Sequence, residues 1–208
     1  FSWDGETLTL KDANIQGEHT FTNSGGNSAA IYRDGNLAIS PEGEKSTVTG
    51  SNEASARYGI YADSIIISGG NGASLEVTGE SYGIYAEEGS ITIKGGTVTA
   101  TATNVSGNGI SGSGVTINGG VVEATGGFHG ISSNGAVIIS GGKVTATGSY
   151  GIGSPHVTIS DGKVTAEGKI RGIFGGSTVT ISGGTVTATG TGTNGDGYGI
   201  RSNGGTVT

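Results

Sequence analysis

Residues 179–190 read VTISGGTVTATG. β-Branched residues alternate, two glycines interrupt them, and threonine then alternates with valine and alanine. Nearly the same phrase stands at 115–126 (VTINGGVVEATG), 137–148 (VIISGGKVTATG) and 157–168 (VTISDGKVTAEG). Alternate residues of an extended strand face opposite ways. Val179, Ile181, Val186 and Ala188 therefore share an inward face, and Thr180, Thr185, Thr187 and Thr189 share the outer one. The inward slots recur as Ile91, Ile93, Val98 and Ala100, and as Val157, Ile159, Val164 and Ala166.

Two anchors set the repeat. A Gly-Ile pair occurs at 59–60, 83–84, 109–110, 130–131, 151–152, 172–173 and 199–200, in steps of 24, 26, 21, 21, 21 and 27 residues, with Ala30-Ile31 as a looser copy. A turn follows nine to eleven residues after each Ile, at Gly69-Gly70, Gly95-Gly96, Gly119-Gly120, Gly141-Gly142, Asp161-Gly162 and Gly183-Gly184. Near-constant periods of this length mark a solenoid, whose units bury their apolar faces only by stacking. No segment has the i, i+3, i+4, i+7 spacing of a helix. Each unit instead holds three short strand-like runs, as GIF, TVTIS and TVTAT do in 172–189. The expected fold is all-β: a three-sheeted parallel β-helix of about eight coils of about 21 residues plus insertions, on the order of 40 Å long at roughly 4.8 Å per rung. The hand expected from parallel crossovers is right-handed. Residues 1–28 are expected to form an irregular N-terminal coil or cap, and 29–208 the repeats, the last incomplete. Extra length is expected at 101–107 (TATNVSG) and 190–197 (GTGTNGDG).

Composition agrees. Among 208 residues there are 45 glycines and 2 prolines, and the glycines punctuate apolar runs that a disordered chain would lack. Collagen is excluded, because glycine does not fall at every third residue. With no cysteine there is neither a disulfide nor a cysteine-based zinc site. A net charge of −7 with ten scattered basic residues argues against nucleic acid and anionic membrane as partners. No apolar stretch approaches the roughly 18 residues of a membrane span. The chain starts without methionine or a signal peptide, and is expected to be a piece of a longer protein carrying further domains.

Four outer features could carry chemistry. Tyr32, Tyr61 and Tyr85 each follow the anchor Ile and should face outward, in register, on adjacent coils. Aromatic faces stack on sugar rings while neighbouring acids accept hydroxyl hydrogens, so this column is the candidate carbohydrate site. Asp34, Asp63, Glu87 and Glu88 lie two or three residues further on and could share a Ca²⁺ ion, the one cofactor considered. Both features have a plainer reading, as like residues stacked on a solvated surface. The threonine column of Thr99, Thr145, Thr165 and Thr187 resembles the ranks of ice-binding β-solenoids, but Glu123, Lys143, Lys163 and Glu167 interrupt it. GFHGISSNG (127–135) and KIR (169–171) resemble segments of polygalacturonases, yet the paired aspartates that inverting hydrolysis requires are missing. His129 occupies the slot filled elsewhere by Tyr58, Tyr82, Asn108, Tyr150, Arg171 and Tyr198, and reads as decoration. His19 and His156 have no relay or metal partners. No catalytic residue is expected.

From about residue 29 onward the units resemble the glycine- and threonine-rich β-helix repeats of Gram-positive bacterial cell-surface and secreted proteins. LTLKDANIQG (8–17), AAIY (29–32) and YGIYA (58–62, 82–86) resemble members described as carbohydrate-binding β-helix domains. That resemblance implies an extracellular β-helix that is adhesin-like or binds glycan, such as polysaccharide or host or cell-wall glycan. A structural stalk is the alternative, and a polysaccharide lyase or hydrolase the third possibility.

Overall fold

The computed structural model describes residues 1–17, 19–21, 27–50, 56–193 and 197–208. The chain is an all-β parallel solenoid of about seven turns, and no helix occurs among the described residues. It falls short of the eight coils expected because the first and last passes are partial. Three sheets run along the solenoid axis. The isoleucine sheet includes Thr7–Lys11, Ser90–Gly95 and Gly114–Ile117. The threonine sheet includes Ser74–Gly79, Thr97–Ala102, Val121–Thr125 and Thr185–Gly190. The Gly-Ile sheet includes Tyr82–Ala86, Asn108–Gly112, His129–Ser133 and Tyr198–Ser202. Between 136 and 181 ladder pairing continues through the corners, so Ala136–Ile181 is one continuous stretch contributing rungs to all three sheets.

The register places like on like. Ile91 pairs with Ile65 and Val115, Val98 with Leu75 and Val122, and Ala100 with Val77 and Ala124. Ile110 pairs with Ile84 and Ile131, which pairs in turn with Ile152. These side chains form one continuous core, and nearly all are fully buried. Burying each Ile or Val contributes about 1.5–3 kcal/mol, so the ladders are the main source of stability. Ile181, Val186 and Ala188 belong to the last rungs and are only half-buried.

The Gly-Gly turns have a backbone cause. Gly96, Gly120, Gly142, Gly162 and Gly184 hold φ between 79° and 97°, in the left-handed region that L side chains resist. In these five turns only the second position needs it, which explains why Asp161 can replace the first glycine. The corner between the Gly-Ile and isoleucine sheets is held by serines. Ser133 Oγ donates to Ser113 O (2.9 Å), Ser154 Oγ to Gly135 O (3.0 Å) and Ser202 Oγ to Ser177 O (2.7 Å). Each hydroxyl thus ties one turn to a backbone carbonyl of the preceding turn.

The first residues depart from the parallel pattern. Ser2–Trp3 pairs antiparallel with Thr7–Lys11, and His19–Phe21 antiparallel with Asn27–Glu42. Thr7–Lys11 and Asn14–Gly17 nevertheless pair in parallel with later rungs, so the isoleucine sheet reaches back to residue 7 and the threonine sheet to residue 14. The Arg33 guanidinium lies 4.5 Å from the centre of the Trp3 ring. Of the expected insertion at 190–197, residues 194–196 lie outside the described residues.

Candidate functional site on the outer face of the Gly-Ile sheet

The Gly-Ile pair fixes what surrounds it. A Cβ on Gly151 would lie 2.7 Å from Gly172 O, 2.8 Å from Glu167 N and 2.9 Å from Ala146 O, all of them backbone atoms. The corner is too close for any side chain. Strict alternation fails there, and the residue before the glycine joins the residue after the isoleucine on the outer surface. Two adjacent outward columns result. One runs through Tyr58, Tyr82, Asn108, His129, Tyr150, Arg171 and Tyr198, and the other through Tyr32, Tyr61, Tyr85, Ser111, Ser132, Gly153, Phe174 and Arg201.

Tyr32, Tyr61 and Tyr85 are in register on adjacent rungs, with ring centres 5.5 Å and 5.7 Å apart. They are not an open column. Tyr61 is 2% exposed, while Tyr32 and Tyr85 are half-buried. The cause is the second column. Tyr58 stacks on Tyr82 at 5.2 Å and meets Tyr61 edge-on at 5.0 Å, and Tyr82 packs on Tyr85 at 4.6 Å. Five tyrosines thus make a small cluster outside the solenoid core, and only its rim is presented to solvent. The Tyr61 hydroxyl donates a hydrogen bond to the Glu87 carboxylate. Burial, with Tyr82 and Glu87 nearby, raises the Tyr85 phenol above its ordinary value.

The four carboxylates expected to share a cation do not converge. Among the described residues no group of three or more His, Asp or Glu side chains could hold a metal ion. The register explains the difference. Arg33 pairs with Ala62 but Asn36 pairs with Ser64, so Asp34 and Gly35 form a bulge opposite Asp63. Glu87 is engaged by Tyr61, and Glu88 is exposed beside it.

A second cluster lies further along the same face, and it includes His129, Tyr150, Arg171 and Tyr198 from the slot that reads as decoration in the sequence. Phe128 meets His129 edge-on at 4.4 Å, His129 stacks on Tyr150 at 5.1 Å, and Tyr150 lies 5.7 Å from Phe174. The Arg171 guanidinium sits 4.6 Å from the Phe174 ring centre and 5.5 Å from that of Tyr150; Arg201 sits 5.0 Å from Tyr198. A side chain at position 153 would strike the His129 imidazole at 2.5 Å, so glycine leaves the space which that ring fills. Asn108 Oδ1 accepts from the His129 backbone N–H (3.1 Å) and contacts ring Nδ1 (3.2 Å). That contact makes Nδ1 the protonated nitrogen of the neutral ring and leaves Nε2 as a hydrogen-bond acceptor. A cleft of about 280 Å³ opens here, lined by residues including His129, Ser132, Gly153 and Phe174. The sequence carried a signal for this cluster: every ring and guanidinium in it but Phe128 stands directly before a Gly-Ile pair or directly after its isoleucine.

Burial lowers the His129 pKa to about 4. The unfolded chain, at about 6.5, takes up a proton that the folded chain refuses between those values. Stability from this group is therefore constant above about pH 6.5 and declines as the pH falls toward 4. The decline should amount to about 2 kcal/mol, allowing for the ring's partial exposure. Thermal unfolding at pH 7.0 and 4.5 should show a larger acid loss in the native chain than in His129→Gln; equal losses would remove His129 from the account.

The fold defines a class: a parallel β-solenoid built from β-helix repeats. The beta helix repeat family model matches residues 91–114, 115–135, 137–154, 157–177 and 179–200, half of the chain, and the protein belongs to that family. No curated protein and no solved structure matches it.

Proposed function

We infer that the chain is a non-catalytic extracellular module, adhesin-like, that holds polysaccharide against the outer face of the Gly-Ile sheet. One observation carries this reading: two clusters of aromatic side chains share that face, with polar residues Asn108, Ser111 and Ser132 between them. Half-buried tyrosine rims offer flat apolar surface beside hydroxyls and carboxylates, the combination that suits sugar rings. Ring-to-ring packing holds the side chains in place before a ligand arrives, which lowers the entropic cost of binding. A stalk that spaces other domains is the second reading, favoured by the burial of Tyr61, since a ring packed against its own neighbours serves stability.

Neutral and acidic polysaccharides immobilised on an array separate the two readings. Tyr85→Ala should weaken binding of a neutral glycan about tenfold, or roughly 1.4 kcal/mol, while the melting temperature shows that the fold persists. Absence of binding to any polysaccharide, or unchanged binding by Tyr85→Ala, would leave the stalk.

A further inference from the structure

The outer face of the isoleucine sheet differs from the other two in charge. Across its six rungs from 36–40 to 156–160, Lys94 is the single lysine, arginine or carboxylate that points outward. The threonine sheet carries Glu76, Glu123, Lys143 and Lys163 outward, and the Gly-Ile sheet carries Arg171 and Arg201. In a chain of net charge −7, the isoleucine sheet is where a second copy would meet the least repulsion. The central outward column reads Ala38, Ile66, Thr92, Thr116, Ile138 in register, with Thr158 on the next rung. Ile66 and Ile138 are 39% and 40% exposed, apolar side chains where threonine fills the slots between them. From its middle the column runs threonine then isoleucine in both directions. It therefore matches itself when reversed. A twofold axis along the strands, midway between the Thr92 and Thr116 rungs, brings Ile66 onto Ile138 and Thr92 onto Thr116 of a second copy.

We propose that the chain forms a twofold homodimer in which two isoleucine sheets pack face to face, their solenoid axes antiparallel. Ile138 of each copy seats against Ile66 of the other. A hollow of about 340 Å³ opens there, lined by residues including Ala38, Ser64, Ser90 and Thr92, because alanine and serine leave room beside Ile66. The flanking columns agree with the same axis. Ser64 meets Ala136, Ser68 meets Ser140, and Lys94 meets Asn118. Asn118 Oδ1 already accepts from Ser140 Oγ at 3.0 Å and keeps a second lone pair for the Lys94 ammonium. No carboxylate of one copy is set opposite another within these four rungs. Six rungs at roughly 4.8 Å by five residues at roughly 3.3 Å give about 490 Å² per copy, about 1,000 Å² in all, the lower end of a specific interface. The hydrogen-bonded sheets are rigid before they meet, which keeps the entropic cost of association low. The dimer leaves the Gly-Ile sheet of each copy uncovered, so it stands apart from the glycan-binding reading.

Sedimentation equilibrium of the full chain tests this, over concentrations spanning an expected Kd on the order of 10 μM. The mass should rise with concentration from that of one chain to that of two, and no further. Ile66→Glu and Ile138→Lys should each weaken association about tenfold or more, since each sets a charge against an isoleucine. Carrying both substitutions in one chain should restore it, because the new carboxylate and ammonium then face each other twice across the axis. Within a chain the two positions lie three rungs, about 14 Å, apart and cannot pair. Thr145→Lys, on the threonine sheet, should leave association unchanged. Circular dichroism and melting temperature confirm that each variant is folded. A monomer at every concentration would overturn the proposal, as would a dimer indifferent to Ile66→Glu and Ile138→Lys. Loss in both single variants without recovery in the double one would overturn it too, because the two positions would not then meet.

Discussion

Ile131→Ala should lower the free energy of unfolding by about 2–5 kcal/mol, the range for truncating a fully buried isoleucine. Ile131 is 0% exposed and sits between Ile110 and Ile152 in the middle of a ladder. The backbone hydrogen bonds above and below fix the rung spacing, so the solenoid cannot collapse into the void, and the loss should lie toward the upper end. In a stack stabilised by nearest neighbours, local opening accompanies the global loss. Chemical denaturation should show the lower midpoint, and amide hydrogen exchange should quicken most in 108–112 and 150–153. A loss below about 1 kcal/mol would mean that the site relaxes, which a tightly registered core does not allow.

Gly151→Ala should cost about 3 kcal/mol although it adds a single methyl group. The three atoms the new Cβ would strike, Gly172 O, Glu167 N and Ala146 O, are backbone atoms of the stacked turns and have no rotamer by which to move away. Gly70→Ala provides the contrast. Nothing lies within 4 Å of a Cβ there and its φ is not positive, so the change should be neutral or stabilising by up to about 1 kcal/mol. Paired thermal and urea unfolding of the two variants decides the matter; equal stabilities would show that the Gly-Ile pair is not set by close approach.

Much of this architecture can be read from the chain because its constraints are periodic. The phrase at 179–190 states the period-2 alternation, and its second glycine states the left-handed backbone found at Gly184 and, in the matching turns, at Gly120 and Gly142. The like-on-like register follows, since a slip of one residue would turn Val98 and Ala100 out to solvent. The first residues are harder, because antiparallel pairing of Ser2–Trp3 and His19–Phe21 depends on local turns that leave no repeat.

The candidate site is legible in register but not in burial. Tyr32, Tyr61 and Tyr85 do align, yet alternation gives no warning that Tyr58 and Tyr82 share their face. That depends on the corner at Gly59 and Gly83, where two successive residues turn from the surface. The same corner lets His129, Tyr150 and Arg171 join Phe174 and Arg201 in one surface, which a column-by-column reading misses. The carboxylates fail to gather for a different reason: the bulge at Asp34 and Gly35 shifts the register locally, and charge alone does not foretell a bulge.

The central claim is that successive turns lie in parallel, in this register. The chain contains no cysteine, so introduced pairs report without interference. Thr99 and Glu123 are direct neighbours on the threonine sheet and both face outward, whereas Ala100 beside them is buried in the core. Adjacent parallel strands lie about 4.8 Å apart, within disulfide reach. Under mild oxidation the Thr99→Cys, Glu123→Cys variant should close an intramolecular disulfide with native stability retained, and the Ala100→Cys, Glu123→Cys variant should not. Closure of both pairs alike, or of neither, would contradict the winding described here.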